Sequence, residues 1–385
     1  MTKQTSVVVI GGSYAGTKVA HSILKQLPGV KVTLINPSKQ YYFNIAAPRI
    51  LVKPNDFKPE QYLFNIPDRF KSYDSKLFEF VQGFATSIDA DAKTVTVEGV
   101  QSAVISYDYL IIATGSTSNA TLGKDSELAP FKPTNSDDLQ SAIESTQKTI
   151  SQAKTVIIGG AGPVGVEFAG EVAEAFSEGK DKFVTLVTSS ERVLPTLKAG
   201  AGTAAKGMLE NLGVKVLTSR KVESATFDSK LKSWSVVLDG GETLTADAYF
   251  ATTGVVPNSS FVPAHLLNKD GWVSVDSEFR VQSSKDDAAT KLPIYALGDI
   301  ASISDRFYHR VAGQAAVLLA NLKADITGAG KRAQYATSQM TMCVAPVGKK
   351  VGTGQIGCWV TWSWFVVFAK GKDFMISKAE GGILG

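Results

Sequence analysis

The sequence predicts an α/β protein with two Rossmann-like, three-layer dinucleotide-binding domains and a small C-terminal α+β segment. Two glycine-rich turns, at residues 11–16 and 159–165, each follow a run of β-branched residues and precede a helical pattern. Each unit is followed by a buried strand that ends in Thr-Gly, at residues 114–115 and 253–254. A chain of 385 residues is long enough for two or three domains.

The first turn follows the apolar strand Val7–Ile10 and reads Gly-Gly-Ser-Tyr-Ala-Gly. Apolar residues then recur at helical spacing over residues 17–24, which predicts a helix after the turn. Glycine permits a sharp turn and a close ligand, and a helix N-terminus offers free N–H groups to a pyrophosphate. Ser13 stands where the second glycine of the GxGxxG pattern is expected, so a bare strand–helix turn is the alternative interpretation.

The next predicted strand, Val30–Pro37, ends where an acidic residue usually bonds the ribose hydroxyls of an adenosine. The residue at that place is Asn36, which departs from the pattern. The following segment, Tyr41–Arg49, is aromatic and irregular. It is either an ordinary buried loop or a wall beside a flat ring system, with Arg49 near a phosphate or a flavin.

Three short strands are expected next, at Phe78–Val81, Thr86–Asp89 and Lys93–Val97. A buried strand then ends in Ala-Thr-Gly at residues 113–115, where the chain must leave the sheet close to a ligand. A polar connector follows, with a helix expected near Ser136–Ser151.

The second turn contains all three glycines of the pattern, Gly160, Gly162 and Gly165, and its helix is expected to reach about Phe176. Because the same device occurs twice, we favour nucleotide binding over the bare turn. Two dinucleotide folds in one chain indicate two dinucleotides, with hydride passing between them.

The second strand of this unit, Phe183–Thr188, ends in Ser-Ser-Glu-Arg. Arg192 is suited to a 2′-phosphate and Glu191 to a free ribose, so the sequence leaves both NADPH and NADH open. A helix near residues 200–212, a strand at 214–217 and a hairpin around 236–244 complete the unit.

A later strand, Pro293–Leu297, ends in Gly298-Asp299. An acid at this place can bond the ribityl hydroxyls of a flavin, and a solvent-facing turn aspartate is the alternative. The helix expected over Val311–Ile326 would direct its N-terminal dipole at the pyrimidine side of the flavin.

Composition excludes several other classes of protein. The net charge of +4 is too small for a general nucleic-acid binder. Three histidines exclude a histidine-rich metal site, and we expect no metal. The two cysteines, Cys343 and Cys358, form no CxxC pair, which argues against a disulfide reductase; we expect both to be buried as small apolar residues.

The C-terminal segment is basic, with seven Lys or Arg against two acidic residues over 331–385. It also contains the apolar run Ile356–Ala369, which has three tryptophans and is too short to span a bilayer. One interpretation is a core or dimer-contact segment. The other is a surface that dips into lipid, with Lys370, Lys372 and Lys378 at anionic headgroups, and that brings a lipid-soluble quinone to the flavin. We expect neither a signal peptide nor N-myristoylation, because the first strand follows directly on the first five residues and residue 2 is not glycine.

The order of these motifs resembles that of the pyridine-nucleotide-dependent flavoprotein reductases with two dinucleotide domains, which are glutathione-reductase-like in fold. The resemblance covers residues 5–330. Within that superfamily the chain is similar to the apoptosis-inducing-factor-homologous group, which includes the ferroptosis-suppressor type of quinone reductase. This finer resemblance rests on the helix sequence Gly-Gly-Ala-Gly-Pro-Val-Gly-Val-Glu-Phe-Ala-Gly-Glu and on the tail segments Val347–Gly357 and Lys370–Met375.

The resemblance implies FAD in a discontinuous domain of residues 1–118 and 248–330, and NADH or NADPH in a domain of residues 119–247. Residues 331–385 would lie at the flavin, with a membrane or dimer contact left open. The residues expected to line FAD are Gly11, Gly12, Ser13, Tyr14, Ala15, Gly16, Asn36, Arg49, Ala113, Thr114, Gly115, Gly298 and Asp299. Those expected at the nicotinamide nucleotide are Gly160, Gly162, Pro163, Val164, Gly165 and Glu167. Catalytic roles fall to Glu167 and Lys370.

The implied activity is hydride transfer from NAD(P)H to flavin and electron transfer to a quinone or another small apolar acceptor. One alternative is a flavin-bound signalling protein with low turnover that responds to NAD(P)H, and another is an NAD(P)H oxidase or ferredoxin-type reductase. We expect an intracellular, cytoplasmic protein, with the surface of a membrane, mitochondrion or lipid droplet left open as its location. A homodimer is also left open.

Overall fold

The computed structural model describes residues 4–100, 102–133, 138–177, 182–285, 291–337 and 340–384. The first part of the chain contains these elements in order: β1 (Ser6–Ile10), α1 (Tyr14–Gln26), β2 (Lys31–Asn36), β3 (Gln40–Tyr42), α2 (Ala47–Ile50), β4 (Leu63–Asn65), α3 (Ile66–Arg69), β5 (Phe78–Asp89), β6 (Thr94–Gly99), β7 (Ala103–Ser106), β8 (Tyr109–Ile112), β9 (Ser116–Ser118) and α4 (Asn119–Leu122).

The middle of the chain continues with α5 (Leu139–Gln152), β10 (Thr155–Gly159), α6 (Pro163–Phe176), β11 (Phe183–Val187), α7 (Ala199–Asn211), β12 (Lys215–Leu217), β13 (Val222–Asp228), β14 (Ser233–Leu238), β15 (Thr243–Ala246) and β16 (Ala248–Ala251). The last part adds β17 (Val255–Pro257), β18 (Ile294–Ala296), α8 (Val311–Thr327), β19 (Met342–Val347), β20 (Val351–Ile356), β21 (Trp359–Val360), α9 (Ser363–Val366) and α10 (Ala379–Leu384). The helix predicted from Ser136 begins in the structure at Leu139, and residues 134–137 lie outside the described part.

The first sheet has the strand order β18-β8-β1-β2-β5-β6-β7. Its first five strands pair in parallel, as the predicted dinucleotide fold requires. The central strand β1 is buried on both faces, and Val7, Val8 and Val9 are at most 1% exposed. Valine and isoleucine dominate this strand, which is typical of a parallel strand that is covered on both faces.

The strands predicted at Phe78–Val81 and Thr86–Asp89 form one strand, β5. Its first half pairs in parallel with β2, and its second half pairs antiparallel with β6. A register shift between Ala85 and Ser87 marks a bulge near this change of partner. The prediction of a break was wrong because the strand continues through the bulge.

The second sheet has the order β12-β11-β10-β16, with all pairs parallel. A three-stranded antiparallel sheet, β13-β14-β15, packs against it around Trp234 and Tyr249. Strand β16 belongs to this second sheet, so the domain boundary predicted between residues 247 and 248 was wrong. The chain returns to the first unit only after β16, where β17 pairs with β9.

The C-terminal segment forms a small antiparallel sheet, β19-β20-β21, followed by short helices. Strand β19 packs on α6 of the second unit, and α10 packs on α1 of the first. A Cβ at Gly170 of α6 would lie 2.8 Å from the Val347 Cα, so a glycine is required at this close approach. The segment thus contacts both dinucleotide units. Among the described residues no helix is both long enough and apolar enough to cross a bilayer.

Candidate functional site

The first glycine turn is closed tightly on its protein side. Gly11 has φ +109°, and a Cβ there would lie 2.4 Å from the Ala113 carbonyl oxygen. A Cβ at Gly16 would lie 1.8 Å from the Gly11 carbonyl oxygen. Both positions therefore exclude any side chain, and the turn brings β1, β8 and α1 together.

The ligand side of this turn opens into a cleft of about 510 Å³. Six of the residues predicted to line FAD lie on its wall: Gly11, Gly12, Ser13, Asn36, Ala113 and Thr114. Ser13 is the N-cap of α1 and makes no side-chain capping bond, so the N–H groups of the first helical turn are left for a ligand. A glycine cradle, an uncapped helix N-terminus and a cleft fit the pyrophosphate of a dinucleotide.

Asn36 has partners within the protein. Its Oδ1 accepts a hydrogen bond from the Gly12 N–H at 2.7 Å, and its Nδ2 donates to the Ser38 carbonyl at 2.7 Å. An asparagine can make both bonds, whereas an ionised aspartate has no donor for the second. Asn36 therefore braces the glycine turn, and its contact with a ribose stays a prediction.

Asp299 lies beside the exit from β8. Its Oδ2 accepts from the Ser116 hydroxyl at 2.9 Å and from the Lys132 Nζ at 2.5 Å. The adjacent Gly298 N–H donates to the buried side chain of Gln314 in α8 at 2.9 Å. Local sequence pattern does not point to Lys132, because this residue lies 167 residues from Asp299 in a polar connector. The aspartate is therefore held by the protein and is not a free turn residue.

The second glycine turn has the same construction. Gly160 has φ +101°, and a Cβ at Gly165 would lie 1.9 Å from the Gly160 carbonyl oxygen. A Cβ at Gly162 would meet nothing within 4 Å, and this residue is the N-cap of α6 without a side-chain capping bond. Among the described residues this side of the turn is open, which fits a second pyrophosphate at the start of α6.

The residues predicted to select the nicotinamide nucleotide lie at the end of β11. Arg192 donates from Nη2 to the carbonyl oxygens of Pro195 and Leu197, each at 3.0 Å. The loop that it braces returns to the glycine turn, where the Leu194 N–H donates to the Ala161 carbonyl at 2.8 Å. The Arg192 guanidinium therefore already bonds carbonyl groups of the protein without a ligand. The side chain of Glu191 is exposed.

We expect Arg192→Ala to leave the ratio of the KM values for NADPH and NADH unchanged, because the guanidinium already bonds its own loop. A guanidinium that bound a 2′-phosphate would contribute about 1.5–3 kcal/mol, so its loss would raise the KM for NADPH roughly ten- to hundredfold. Steady-state kinetics with both nucleotides distinguishes the two outcomes. A rise confined to NADPH would contradict the expectation.

The structure brings Glu167 and Lys370 together across 203 residues of sequence. The Lys370 Nζ donates to the Glu167 Oε1 at 2.5 Å, and Glu167 is 2% exposed. Burial raises the pKa of the Glu167 carboxyl above its ordinary value, and the charge and hydrogen bond of Lys370 act in the opposite direction. The pair is a buried contact between α6 and the C-terminal segment.

The structure does not place Arg49 on the cleft wall among the described lining residues. Its guanidinium is fully buried and bonds both carboxylate oxygens of Glu171, at 3.0 and 2.8 Å. The predicted contact of Arg49 with a phosphate or flavin is thus corrected to an ion pair with α6. Of the aromatic residues before it, Tyr41 and Phe43 are at most 2% exposed, and Tyr41 also lies on the wall of the cleft. The buried loop and the wall beside a flat ring system therefore both stay predictions.

The two cysteines do not form a redox pair in the described structure. Both are free thiols. Burial raises the pKa of the Cys343 thiol to about 11, so it stays protonated near neutral pH. Cys358 is exposed, which corrects the expectation that both are buried.

The tryptophans of the C-terminal segment point outward. We use the term aromatic patch for Trp359, Trp362, Trp364 and Phe368, whose exposed fractions are 76%, 73%, 67% and 78%. The core interpretation of these side chains was therefore wrong. Lys372 and Lys378 are exposed as predicted for a headgroup contact, but Lys370 is directed at Glu167.

Comparison with known proteins gives concordant results. The sequence profile of the family described as pyridine nucleotide-disulphide oxidoreductase matches residues 5–338. Oxidoreductase ptaL of Pestalotiopsis fici is 36% identical over 360 residues, which are 91% of this chain and 91% of that protein. Ferroptosis suppressor protein 1 of Xenopus tropicalis is 28% identical over 389 residues, which are 97% and 94% of the two chains.

A similar fold occurs in the solved structure of the sulfide:quinone oxidoreductase from Aquifex aeolicus. The TM-score is 0.76 at 18% identity, and the match covers 98% of this chain and 92% of that one. These findings confirm the predicted two-dinucleotide-domain fold and the predicted resemblance to the ferroptosis-suppressor group.

Proposed function

This chain belongs to the pyridine nucleotide-disulphide oxidoreductase family, whose members use FAD and a nicotinamide nucleotide, and from that premise we propose that it oxidises NADH or NADPH and reduces a quinone-type acceptor. The observation that carries the proposal is the buried Lys370–Glu167 pair, whose lysine belongs to the same C-terminal segment as an exposed aromatic patch. A flat, apolar acceptor suits a segment that carries both aromatic side chains and a cationic donor.

The first glycine turn and Asp299 would hold FAD, and the second glycine turn and the start of α6 would hold the nicotinamide nucleotide. FAD, when bound, supplies the two-electron chemistry that connects the nucleotide with the acceptor. The protein's part is to position both ligands and to exclude water from the space between them. Gly298 supports this task because its bond to Gln314 fixes the start of α8 beside Asp299.

Lys370 would supply charge and a proton to an acceptor oxygen that gains electrons. Its amine has three N–H donors, and the 2.5 Å bond to Glu167 uses one of them. Glu167 holds the amine in place and balances its charge in a site where both side chains are largely buried. Glu167 also lies one turn into α6, so we retain the predicted contact of its carboxyl with a nicotinamide amide as a proposal.

A disulfide acceptor is disfavoured by the cysteines. Electron relay to a disulfide uses a nearby pair of thiols, and the attacking sulfur must be a thiolate. The sequence has two cysteines with no CxxC spacing, and the Cys343 thiol stays protonated near neutral pH. The Aquifex aeolicus enzyme of similar fold is a sulfide:quinone oxidoreductase, which supports an acceptor of the quinone class.

The test is NAD(P)H oxidation by the purified holoenzyme with a panel of acceptors at equal concentrations: a short-chain quinone, a disulfide, ferredoxin and dioxygen. The proposal expects the highest kcat/KM with the quinone. Preference for ferredoxin or dioxygen would overturn it in favour of a ferredoxin-type reductase or an oxidase. Slow turnover with every acceptor would instead favour the signalling alternative.

We further propose that the aromatic patch contacts a lipid surface, because four large side chains are exposed within one short stretch of sequence and the exposed Lys372 and Lys378 follow it. Replacement of Trp362, Trp364 and Phe368 by serine is expected to abolish co-sedimentation with anionic phospholipid vesicles. Each side chain buried in lipid contributes about 1.5–3 kcal/mol, or roughly tenfold or more in binding.

Leu231→Ser is the matched control, because Leu231 is also 75% exposed but lies between β13 and β14. This variant should bind vesicles like the unaltered protein. Vesicle binding that survives loss of the aromatic patch would refute the lipid contact. Loss of self-association in the same triple variant would instead assign the patch to a homodimer.

A further inference from the structure

Arg49 is the largest fully buried side chain in the described structure, and it joins three parts of the chain. It lies on α2 of the first unit and bonds Glu171 on α6 of the second unit through Nε and Nη2. Its Nη1 donates to the Lys372 carbonyl of the C-terminal segment at 3.1 Å. Its guanidinium carbon also lies 4.6 Å from the centre of the Phe374 ring.

The two residues that Arg49 hydrogen-bonds, Glu171 and Lys372, are close in sequence to the Lys370–Glu167 pair. Glu171 follows Glu167 by four residues on α6, so the two carboxylates lie one above the other on the same helix face. Lys372 follows Lys370 by two residues, across the end of a π-helical turn at Val367–Gly371. The Arg49 guanidinium thus bonds both the helix that carries Glu167 and the segment that carries Lys370.

The C-terminal segment needs such a contact because its backbone is strained at this place. Phe374 and Met375 have φ values of +49° and +63°, which non-glycine residues rarely adopt. Two consecutive residues in this region persist only where the surroundings hold them. The contact of the Arg49 guanidinium with the Phe374 ring is directly at the strained turn.

We propose that Arg49 is a positioning residue that holds the Lys370 amine on Glu167. It acts by fixing the turn at residues 372–375 against α6, and it does not touch a ligand. The neighbouring Lys53 bonds Glu171 at 2.8 Å and also contacts Glu174, so a positive charge stays beside α6 when Arg49 is changed. The inference rests on the proposed function in one respect only, which is the role of the Lys370–Glu167 pair in reduction of the acceptor.

The position of the Lys370 amine can be measured without turnover, by acylation of the FAD-loaded protein with an amine-reactive ester and peptide mass spectrometry. Exposed Lys350 serves as the internal reference. In the unaltered protein Lys370 should react much more slowly than Lys350. In Arg49→Met its relative rate should rise about tenfold, the change expected when a charge-assisted bond is lost. Arg49→Lys should restore part of the protection.

Arg69→Met is the matched control. Arg69 also joins the first unit to the C-terminal segment, through Glu380 at 2.6 Å, which lies beyond the strained turn. Its guanidinium carbon lies 5.0 Å from the centre of the Phe64 ring in its own unit. Lys370 should react in this variant as it does in the unaltered protein. Arg49→Met should also lower the kcat for the acceptor and leave the KM for the nucleotide unchanged.

Unchanged Lys370 reactivity in a folded, FAD-containing Arg49→Met protein would overturn the inference. If that variant does not fold, Arg49→Lys is the second variant, because it keeps a cation beside Glu171 but cannot also bond the Lys372 carbonyl. Lys370 acylation in Arg49→Lys that is faster than in the unaltered protein supports the inference, and unchanged acylation overturns it. Failure of quinone reduction in the unaltered protein would sink the proposed function and leave the acylation result intact.

Discussion

Lys370→Met is expected to lower the kcat for reduction of a quinone-type acceptor by about 10²- to 10³-fold while the protein keeps its FAD. Methionine preserves most of the length of the side chain but removes its charge and its N–H donors. The change also leaves Glu167 buried without the cation that lowers its pKa, so this carboxyl takes up a proton more readily. The acceptor would lose the charge and the proton that the Lys370 amine supplies.

The measurement is steady-state turnover with a short-chain quinone, together with the rate at which NADH or NADPH reduces the bound flavin. The second rate separates loss of nucleotide contact from loss of acceptor chemistry. Lys350→Met is the matched control, because Lys350 is exposed on the same C-terminal segment. A Lys370→Met protein with the kcat of the unaltered protein would show that Lys370 is not catalytic.

Gly165→Ala is expected to abolish reduction by NADH and NADPH while FAD binding persists. The new Cβ would lie 1.9 Å from the Gly160 carbonyl oxygen and 2.6 Å from the Thr252 hydroxyl oxygen. The nearer atom belongs to the backbone, so no side-chain movement can relieve the overlap and the turn itself must shift. Overpacking of this kind costs about 1–3 kcal/mol, or roughly 5- to 150-fold, before the loss of ligand contacts is counted.

The first glycine turn supplies the complementary variant. Gly16→Ala makes the same overlap with the Gly11 carbonyl oxygen, so this protein should lose FAD and be colourless. Gly207→Ala on α7 is the control for both, because a Cβ there meets nothing within 4 Å. Retained reduction by both nucleotides in Gly165→Ala would contradict the assignment of the second turn.

Local chemistry made much of this fold predictable. A glycine turn between a buried strand and a helix specifies its own geometry, which explains why both turns, their helices and the Thr-Gly exits lie where the sequence predicts. Asn36 was recognised as a departure, but its bonds to Gly12 and Ser38 depend on how β1 and β2 pair. The continuous β5 was missed because a bulge interrupts the pattern of alternation without ending the strand.

The long-range contacts of the site could not be predicted from local pattern. Arg49 and Glu171 are 122 residues apart, and neither residue carries a sign of its partner in its surrounding sequence. The apolar run with three tryptophans is equally typical of a core segment and of an exposed one. Only the packing of β19 and β20 on the second unit shows which side of the run faces outward.

The account depends on two ligands, FAD in the first unit and a nicotinamide nucleotide in the second, held for electron transfer. The direct test is the visible absorbance of the purified protein under anaerobic conditions, before and after addition of NADH or NADPH. We expect a yellow protein whose flavin absorbance is bleached by at least one of the two nucleotides. A colourless protein that does not bind added FAD, or a yellow protein that neither nucleotide bleaches, would contradict it.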